Sequence, residues 1–308
     1  MPESYPLSAQ MAAFVAKSQR YVAADSSLQA QRAAYGALCR AFSPERPAGL
    51  RVNDLRLAGV AVRRYLPAGP IPSAGWPCLL YLHGGGWMLG DLDSHDFICA
   101  YLARHLGLVV VAVAYRLAPE QPFPAALEDC LGVWRALRAG HLDVPLAQAR
   151  LAVAGDSAGG NLAAALCLAL RAAGQRQPCA QALVYPVLSA QALPSHRRCA
   201  DAPLLSHAEL QACLDIYLAN PEQRHNPLAL PLAASDFVGL APAFVAAAEF
   251  DPLRDDAARY AERLALDGVP VLFEPGLGLV HGCLRGLGRV AEVDRLYQRL
   301  CAWLATAI

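Results

Sequence analysis

Short apolar runs separated by helical and turn-forming segments set the pattern of this chain: residues 78–82, 108–114, 151–154, 183–185, 243–248 and 269–273 are wholly or nearly wholly apolar. They lack the strict alternation of a half-exposed strand, so they predict strands buried on both faces, as in a parallel sheet covered by helices. Residues 161–170 are mostly good helix formers, and similar segments separate the other runs. Alternating strands and helices predict an α/β fold with a mostly parallel central sheet and helices on both faces. Residues 60–65 alternate less cleanly and predict an antiparallel edge ribbon ahead of that core. Two segments break the alternation. Residues 1–50 carry helical patterns without a strand, and residues 188–235 form a proline-punctuated insertion holding the helix-like stretch 206–218.

The run 151–154 leads directly into Gly155-Asp156-Ser157-Ala158-Gly159, a Gly-x-Ser-x-Gly pattern set between a strand and a helix. In such an elbow the serine Oγ is lifted out of the turn, and the glycines remove side chains that would strike the neighbouring strand and helix. The pattern alone is weak in an alanine-rich chain, where a chance match in a loop is the plain alternative. A second motif strengthens it: residues 78–82 run straight into His83-Gly84-Gly85-Gly86-Trp87. Acyl transfer builds negative charge on a carbonyl oxygen, and backbone N–H groups reach that oxygen only where no side chain intervenes. A phosphate-binding turn would instead need a Gly-x-Gly-x-x-Gly frame opening a helix or a Lys-Ser/Thr pair, and neither follows.

A serine nucleophile needs a base, itself held by a carboxylate. Acidic residues gather behind the run 243–248, in Glu249-Phe250-Asp251-Pro252-Leu253-Arg254-Asp255-Asp256. Asp251 fits best, just past the strand and before a proline; Glu249 is its rival, while Asp255 and Asp256 suit the first turn of the next helix. Further on, Gly276 and Gly278 lead to His281-Gly282, a histidine on a glycine-flanked loop. The order Ser, Asp, His is that of α/β-hydrolases. His95, His105, His141, His196, His207 and His225 read as surface or packing residues, and His83 as a hydrogen-bonding support for the glycine loop with Gly84.

These motifs, together with Tyr115-Arg116-Leu117-Ala118-Pro119-Glu120 and Pro122-Phe123-Pro124-Ala125-Ala126, resemble the hormone-sensitive-lipase family of α/β-hydrolases, a group that includes many bacterial carboxylesterases. The resemblance implies an α/β-hydrolase fold with a helical cap, divided into an N-terminal cap segment (1–50), a first core part (51–187), a cap insertion (188–235) and a second core part (236–308). It implies Ser157 as nucleophile, His281 as general base and acid, and Asp251 as the residue orienting the imidazole. Gly85, Gly86 and Ala158 would supply the oxyanion-binding N–H groups. Arg116 and Glu120 would be structural, tying their loop to the core. The implied activity is hydrolysis of short- to medium-chain acyl esters of small molecules through an acyl-enzyme, without cofactor or metal. Deacetylation or amide hydrolysis of a small metabolite is the alternative. A non-catalytic receptor of the gibberellin-receptor kind is more remote, because those receptors lack the catalytic histidine and His281 is present. The chain departs from the family pattern at Cys283, where a bulky aromatic is common, and at Leu230-Pro231-Leu232, where Ser-Pro-Leu is frequent. Both bear on acyl-pocket shape, and Cys283 reads as a small apolar filler.

Net charge is zero, and of 26 basic residues only Lys17 is lysine, with the arginines spread without a run. This argues against a nucleic-acid partner. No apolar stretch reaches the length of a membrane span, and the N-terminus lacks a signal-peptide layout, so the expected location is the cytoplasm. The ten cysteines show no CxxC spacing and are expected to be reduced. A homodimer is left open.

Overall fold

The computed structural model describes residues 5–308, so the first four residues of the 1–50 segment lie outside it. Among the described residues one sheet runs in the order β1-β2-β4-β3-β5-β6-β7-β8. Its strands are β1 (Leu50–Leu57), β2 (Val60–Pro67), β3 (Trp76–Leu82), β4 (Val109–Val113), β5 (Leu146–Asp156), β6 (Gln181–Val184), β7 (Ala243–Ala246) and β8 (Val271–Glu274). β2 pairs antiparallel with both β1 and β4, and every other pairing is parallel. The apolar runs are thus the parallel core. The ribbon foreseen at 60–65 is present, but β2 lies inside it and the polar, half-exposed β1 forms the sheet edge, a strand that the apolar pattern could not announce.

Both faces are covered. Leu80, Val111, Val153, Leu183 and Val245 point to one core, under α4 (Ala125–Arg138), α5 (Ala158–Ala172) and α8 (Arg254–Leu266). Their alternates Leu79, Val110, Ala152, Ala182 and Phe244 point to the other, under α3 (Asp96–Leu106) and α9 (Ala291–Ala307), which α1 (Ala9–Ser18) and α2 (Leu28–Phe42) join through Met11, Phe14 and Phe42. Small residues in the central strands let these helices come close. Helix α7 (His207–Tyr217) of the inserted segment starts with a capping box: Ser206 Oγ accepts from the Glu209 N–H at 3.2 Å, and Glu209 Oε2 accepts from the Ser206 N–H at 2.7 Å. It follows the short helix α6 (Pro194–Arg198).

Strand order fixes where a site can form. After β3 the chain passes through α3 on one face to β4; after β5 it passes through α5 on the other face to β6. β3 and β5 are neighbours, so their departing loops diverge and leave a crevice at their carboxyl ends.

Two helical leucines of opposite burial test the packing. Leu166 in α5 is fully buried, so Leu166→Ala should lower unfolding free energy by about 2–5 kcal/mol. Leu266 at the end of α8 is 77% exposed, and Leu266→Ala should stay within about 0.5 kcal/mol of wild type. Urea unfolding of both variants checks the pair; equal losses would contradict the assigned core.

Candidate active site

β5 ends in a turn that only glycine permits. A Cβ at Gly155 would lie 2.3 Å from the Gly159 oxygen, and one at Gly159 would lie 2.0 Å from the Leu82 oxygen at the end of β3. Ser157, between them, holds φ 53° and ψ −120°, a conformation that costs a non-glycine residue of order 1–3 kcal/mol. Its N–H donates to the Val184 oxygen at 2.9 Å, and its own carbonyl accepts from the Asn161 N–H at 3.0 Å, which lock the turn between β6 and α5. Asn161 is fully buried and donates through Nδ2 to the carbonyls of Val187 (2.9 Å) and Ala229 (2.8 Å), so the helix start also holds the chain that leaves β6.

Ser157, His281 and Asp251 come together from three strand ends. His281 Nε2 is 2.9 Å from Ser157 Oγ, and His281 Nδ1 is 2.7 Å from Asp251 Oδ2. A carboxylate only accepts, so Nδ1 carries the proton and Nε2 is left to accept from the serine hydroxyl. Asp251 is fully buried, and its other oxygen accepts from the Leu253 N–H at 2.8 Å. Its rival Glu249 instead accepts from the Gly278 N–H at 2.7 Å and braces the loop that carries His281. Tyr185 lies against the His281 ring, with centroids 4.7 Å apart.

Asp255 and Asp256 do occupy the first turn of α8, and they do more than favour its dipole. Asp256 is fully buried and accepts from the N–H groups of Leu188 (2.8 Å) and Ser189 (2.7 Å); Asp255 accepts from the Ser195 N–H at 2.8 Å, while Ser195 Oγ donates to the Pro252 oxygen at 2.6 Å. The inserted segment thereby clamps the turn that bears Asp251. His196, which the sequence groups with bland histidines, is buried with its Nε2 3.6 Å from Asp256.

The glycine loop is held from beneath. Asp156, whose side chain carried no role in the sequence reading, is buried and accepts from the Tyr81 hydroxyl (2.7 Å) and the Gly84 N–H (3.1 Å), with His95 Nε2 3.4 Å away. Burial opposes its ionisation, but the charge and hydrogen bond of His95, the Tyr81 hydroxyl and the charge of His83 prevail and hold its carboxyl at about 2. His95 is therefore a buried packing partner rather than a surface residue. The signal available in the sequence was its place in Gly155-Asp156-Ser157, one residue from the serine and pointing to the opposite side of the strand. His83 donates from Nδ1 to the Gly84 oxygen at 2.9 Å, and Tyr115 donates to the His83 oxygen at 2.7 Å. Burial, then repulsion from His95, pushes the His83 imidazole down to about 4.

With the Gly84 N–H engaged, those of Gly85 and Gly86 have no acceptor among the described residues. Both glycines take positive φ, 125° and 60°, and a Cβ on Gly85 would lie 2.3 Å from the Leu89 oxygen. Ala158 is the first residue of α5, so its N–H stands outside the helical ladder at the positive end of the dipole. Trp87 stacks flat on Tyr217 of α7, centroids 4.0 Å apart, and the Cys213 sulfur of α7 lies 2.7 Å from where a Cβ on Gly86 would stand. From the other side, Arg32 of α2 donates to the Met88 oxygen at 2.9 Å and pairs with Glu120 at 2.6 Å. Glu120 thus ties its loop to α2, whereas Arg116 ties the same loop to Asp129 of α4 at 2.9 Å. Cys283 is fully buried in the core beneath the His281 loop, and burial pushes its thiol upward, out of the range of a reactive thiolate. All ten cysteines are free thiols. Among the described residues no group of three His, Cys, Asp or Glu side chains is arranged to hold a metal ion, and no helix is long and apolar enough to cross a membrane.

A family model described as the alpha/beta hydrolase fold matches residues 79–285. The esterase LipI of Mycobacterium tuberculosis is 41% identical over 81% of this chain and 80% of its own length. Ethyl acetate hydrolase of Pseudomonas putida is 40% identical over 79% of each. The crystal structure of an esterase from the bacterial hormone-sensitive lipase family superposes with a TM-score of 0.89 at 26% identity, covering 99% of this chain and 100% of that one. The strand order, the glycine-built turn and these matches together assign the chain to the α/β-hydrolases, as a member of the hormone-sensitive-lipase type.

Proposed function

We propose that the chain is a serine carboxylesterase that hydrolyses short- to medium-chain acyl esters of small molecules through an acyl-enzyme. The observation that carries this reading is the hydrogen-bonded line from Ser157 through His281 to buried Asp251, at 2.9 and 2.7 Å, beside unengaged backbone N–H groups. In the first half-reaction Ser157 Oγ attacks the ester carbonyl as its proton passes to His281 Nε2, and Asp251 stabilises the imidazolium. The carbonyl oxygen gains charge and is met by the N–H groups of Gly85, Gly86 and Ala158, each worth about 10² to 10³ in rate. The alcohol leaves with the proton from His281. In the second half water attacks the acyl-enzyme by the same proton route and the acid departs.

Residues 1–50 and 188–235 act as the cap over this centre, and 51–187 with 236–308 as the core. What supports the division is that α2 and α7 both rest on the loop after β3, through Arg32 and through Tyr217 and Cys213. A cover of that kind excludes water and strengthens the local electrostatics. The relatives named esterase LipI and ethyl acetate hydrolase support ester cleavage, the latter name pointing to small acyl and alcohol groups.

Hydrolysis of p-nitrophenyl acetate, butyrate, octanoate and palmitate should be fastest on the shorter esters and at least about 10³-fold slower in Ser157→Ala. Asp251→Asn should lower kcat by about 10⁴-fold with little change in KM, because it presents the wrong tautomer partner to His281. p-Nitroacetanilide should be cleaved far more slowly than the acetate ester; comparable rates would move the reading to an amidase.

Acid sensitivity follows from the groups under the glycine loop. With His83 depressed from 6.5 to about 4, the unfolded chain binds the proton first, so the stability present above pH 6.5 declines as pH falls towards 4. Asp156, depressed from 3.8 to about 2, adds a further loss between those values. Urea midpoints measured from pH 7 to 4 should fall more steeply in wild type than in His83→Gln, which does not titrate; parallel slopes would place the acid-sensitive group elsewhere.

A further inference from the structure

The buried arginines of this protein are Arg63, Arg64 and Arg285. Arg63 is paired with Asp54 at 2.6 Å and Asp93 at 2.7 Å, and Arg64 with Asp143, with Asn53 accepting a further bond at 3.0 Å. Arg285 has neither an ion pair nor a hydrogen bond among the described residues. It is 9% exposed, and its Nε is fully enclosed without an acceptor. Its Nη groups are equally unbonded but keep contact with accessible space. A guanidinium taken out of water without an anion is costly, and folds rarely keep one without a use.

Its position says what that use is. Arg285 lies in the 3-10 turn Cys283–Gly286 immediately behind the His281 loop. Its Nη2 is 2.6 Å from where a Cβ on Gly282 would stand, so the head group lies against the residue next to His281. The Tyr35 ring of α2 flanks it with 5.6 Å between Cζ and the ring centroid. The carboxylates nearest to the proposed centre are already engaged: Asp251 by His281 and the Leu253 N–H, Asp156 by Tyr81, the Gly84 N–H and His95. None of these carboxylates is bonded to Arg285, which leaves its guanidinium fork open to an anion from outside the protein.

Resting on the esterase reading above, we propose that Arg285 is a recognition site for a carboxylate carried by the ester substrate, so that this enzyme prefers half-esters of dicarboxylic acids, or esters of hydroxy acids, over neutral esters of the same size. The planar fork of arginine suits a carboxylate through paired N–H···O bonds, and an enclosed setting with an aromatic wall strengthens them. No bond is made or broken at this site, and the hydrolysis itself proceeds as on a neutral ester.

The test follows hydrolysis in a pH-stat of monoethyl succinate and 4-acetoxybutanoate, which carry the charge on the acyl and on the alcohol side, beside ethyl pentanoate and pentyl acetate as neutral counterparts. At least one acidic ester should exceed its counterpart by about tenfold or more in kcat/KM, mainly through KM. Arg285→Met should bring that ratio to one or below, and Arg285→Lys should restore part of it, which a loss of folding alone would not do. Equal ratios in wild type and Arg285→Met, with the neutral esters still cleaved, would overturn the carboxylate site while leaving the esterase standing. Absence of activity on all four esters, and on p-nitrophenyl acetate, would overturn both. A neutral-ester rate that responds to added sodium acetate in wild type but not in Arg285→Met, with no acidic-ester preference, would overturn the substrate assignment in favour of a free anion.

Discussion

The approach of β5 to the end of β3 is the contact on which the rest of the site depends. Glycine at 155 and 159 lets the turn press against the carbonyls of Leu82 and His83 at distances no Cβ would tolerate. That proximity puts Asp156, the residue between Gly155 and Ser157, directly under the Gly84 N–H. One strand end therefore presents two side chains with opposite duties: Ser157 towards His281 and Asp156 beneath the glycine loop, where it holds the Gly84 N–H and leaves those of Gly85 and Gly86 without an acceptor among the described residues. The Gly84 N–H is thus held by an acceptor that the elbow itself supplies.

Asp251 and His281 reach Ser157 by a different route. They follow β7 and β8, and each stands on a turn fixed by further partners. Glu249 holds the Gly278 amide of the His281 loop, and the segment 188–195 grips Pro252, Asp255 and Asp256 behind Asp251. The inserted segment is therefore coupled to the geometry of the centre from two directions, through the Asp251 turn below and through Tyr217 and Cys213 on the glycine loop above.

Buried charge is used sparingly, and most instances have a local reason. Asp156 and Asp256 both sit where backbone N–H groups would otherwise go unpaired, so they stabilise by supplying acceptors as much as by charge. Arg63 and Arg64 join the antiparallel ribbon to its surroundings through carboxylates. Arg285 breaks this pattern, a buried cation beside the Tyr35 ring with no hydrogen bond or ion pair among the described residues.

Much of this molecule is written locally. Runs such as 108–114 and 243–248 are apolar on both sides because both faces of a parallel strand are covered, so the central strands and the α/β class were legible without a structure; β1 was not, because its polar, half-exposed residues carry no such mark. The serine, the glycine loop and the His281 loop stand out because turns that need positive φ or close backbone approach need glycine, and glycine is visible in a sequence. What the sequence could not decide is which charged and polar groups meet across long separations. Asp251 and Glu249 are two residues apart and equally acidic, yet one reaches His281 and the other an amide of the loop, as strand pairing and turn direction dictate. Likewise nothing near Arg285 in the chain reveals that it alone among the buried arginines lacks a carboxylate, because a partner is chosen by folded distance, and distance in space is the one quantity that residue spacing does not carry.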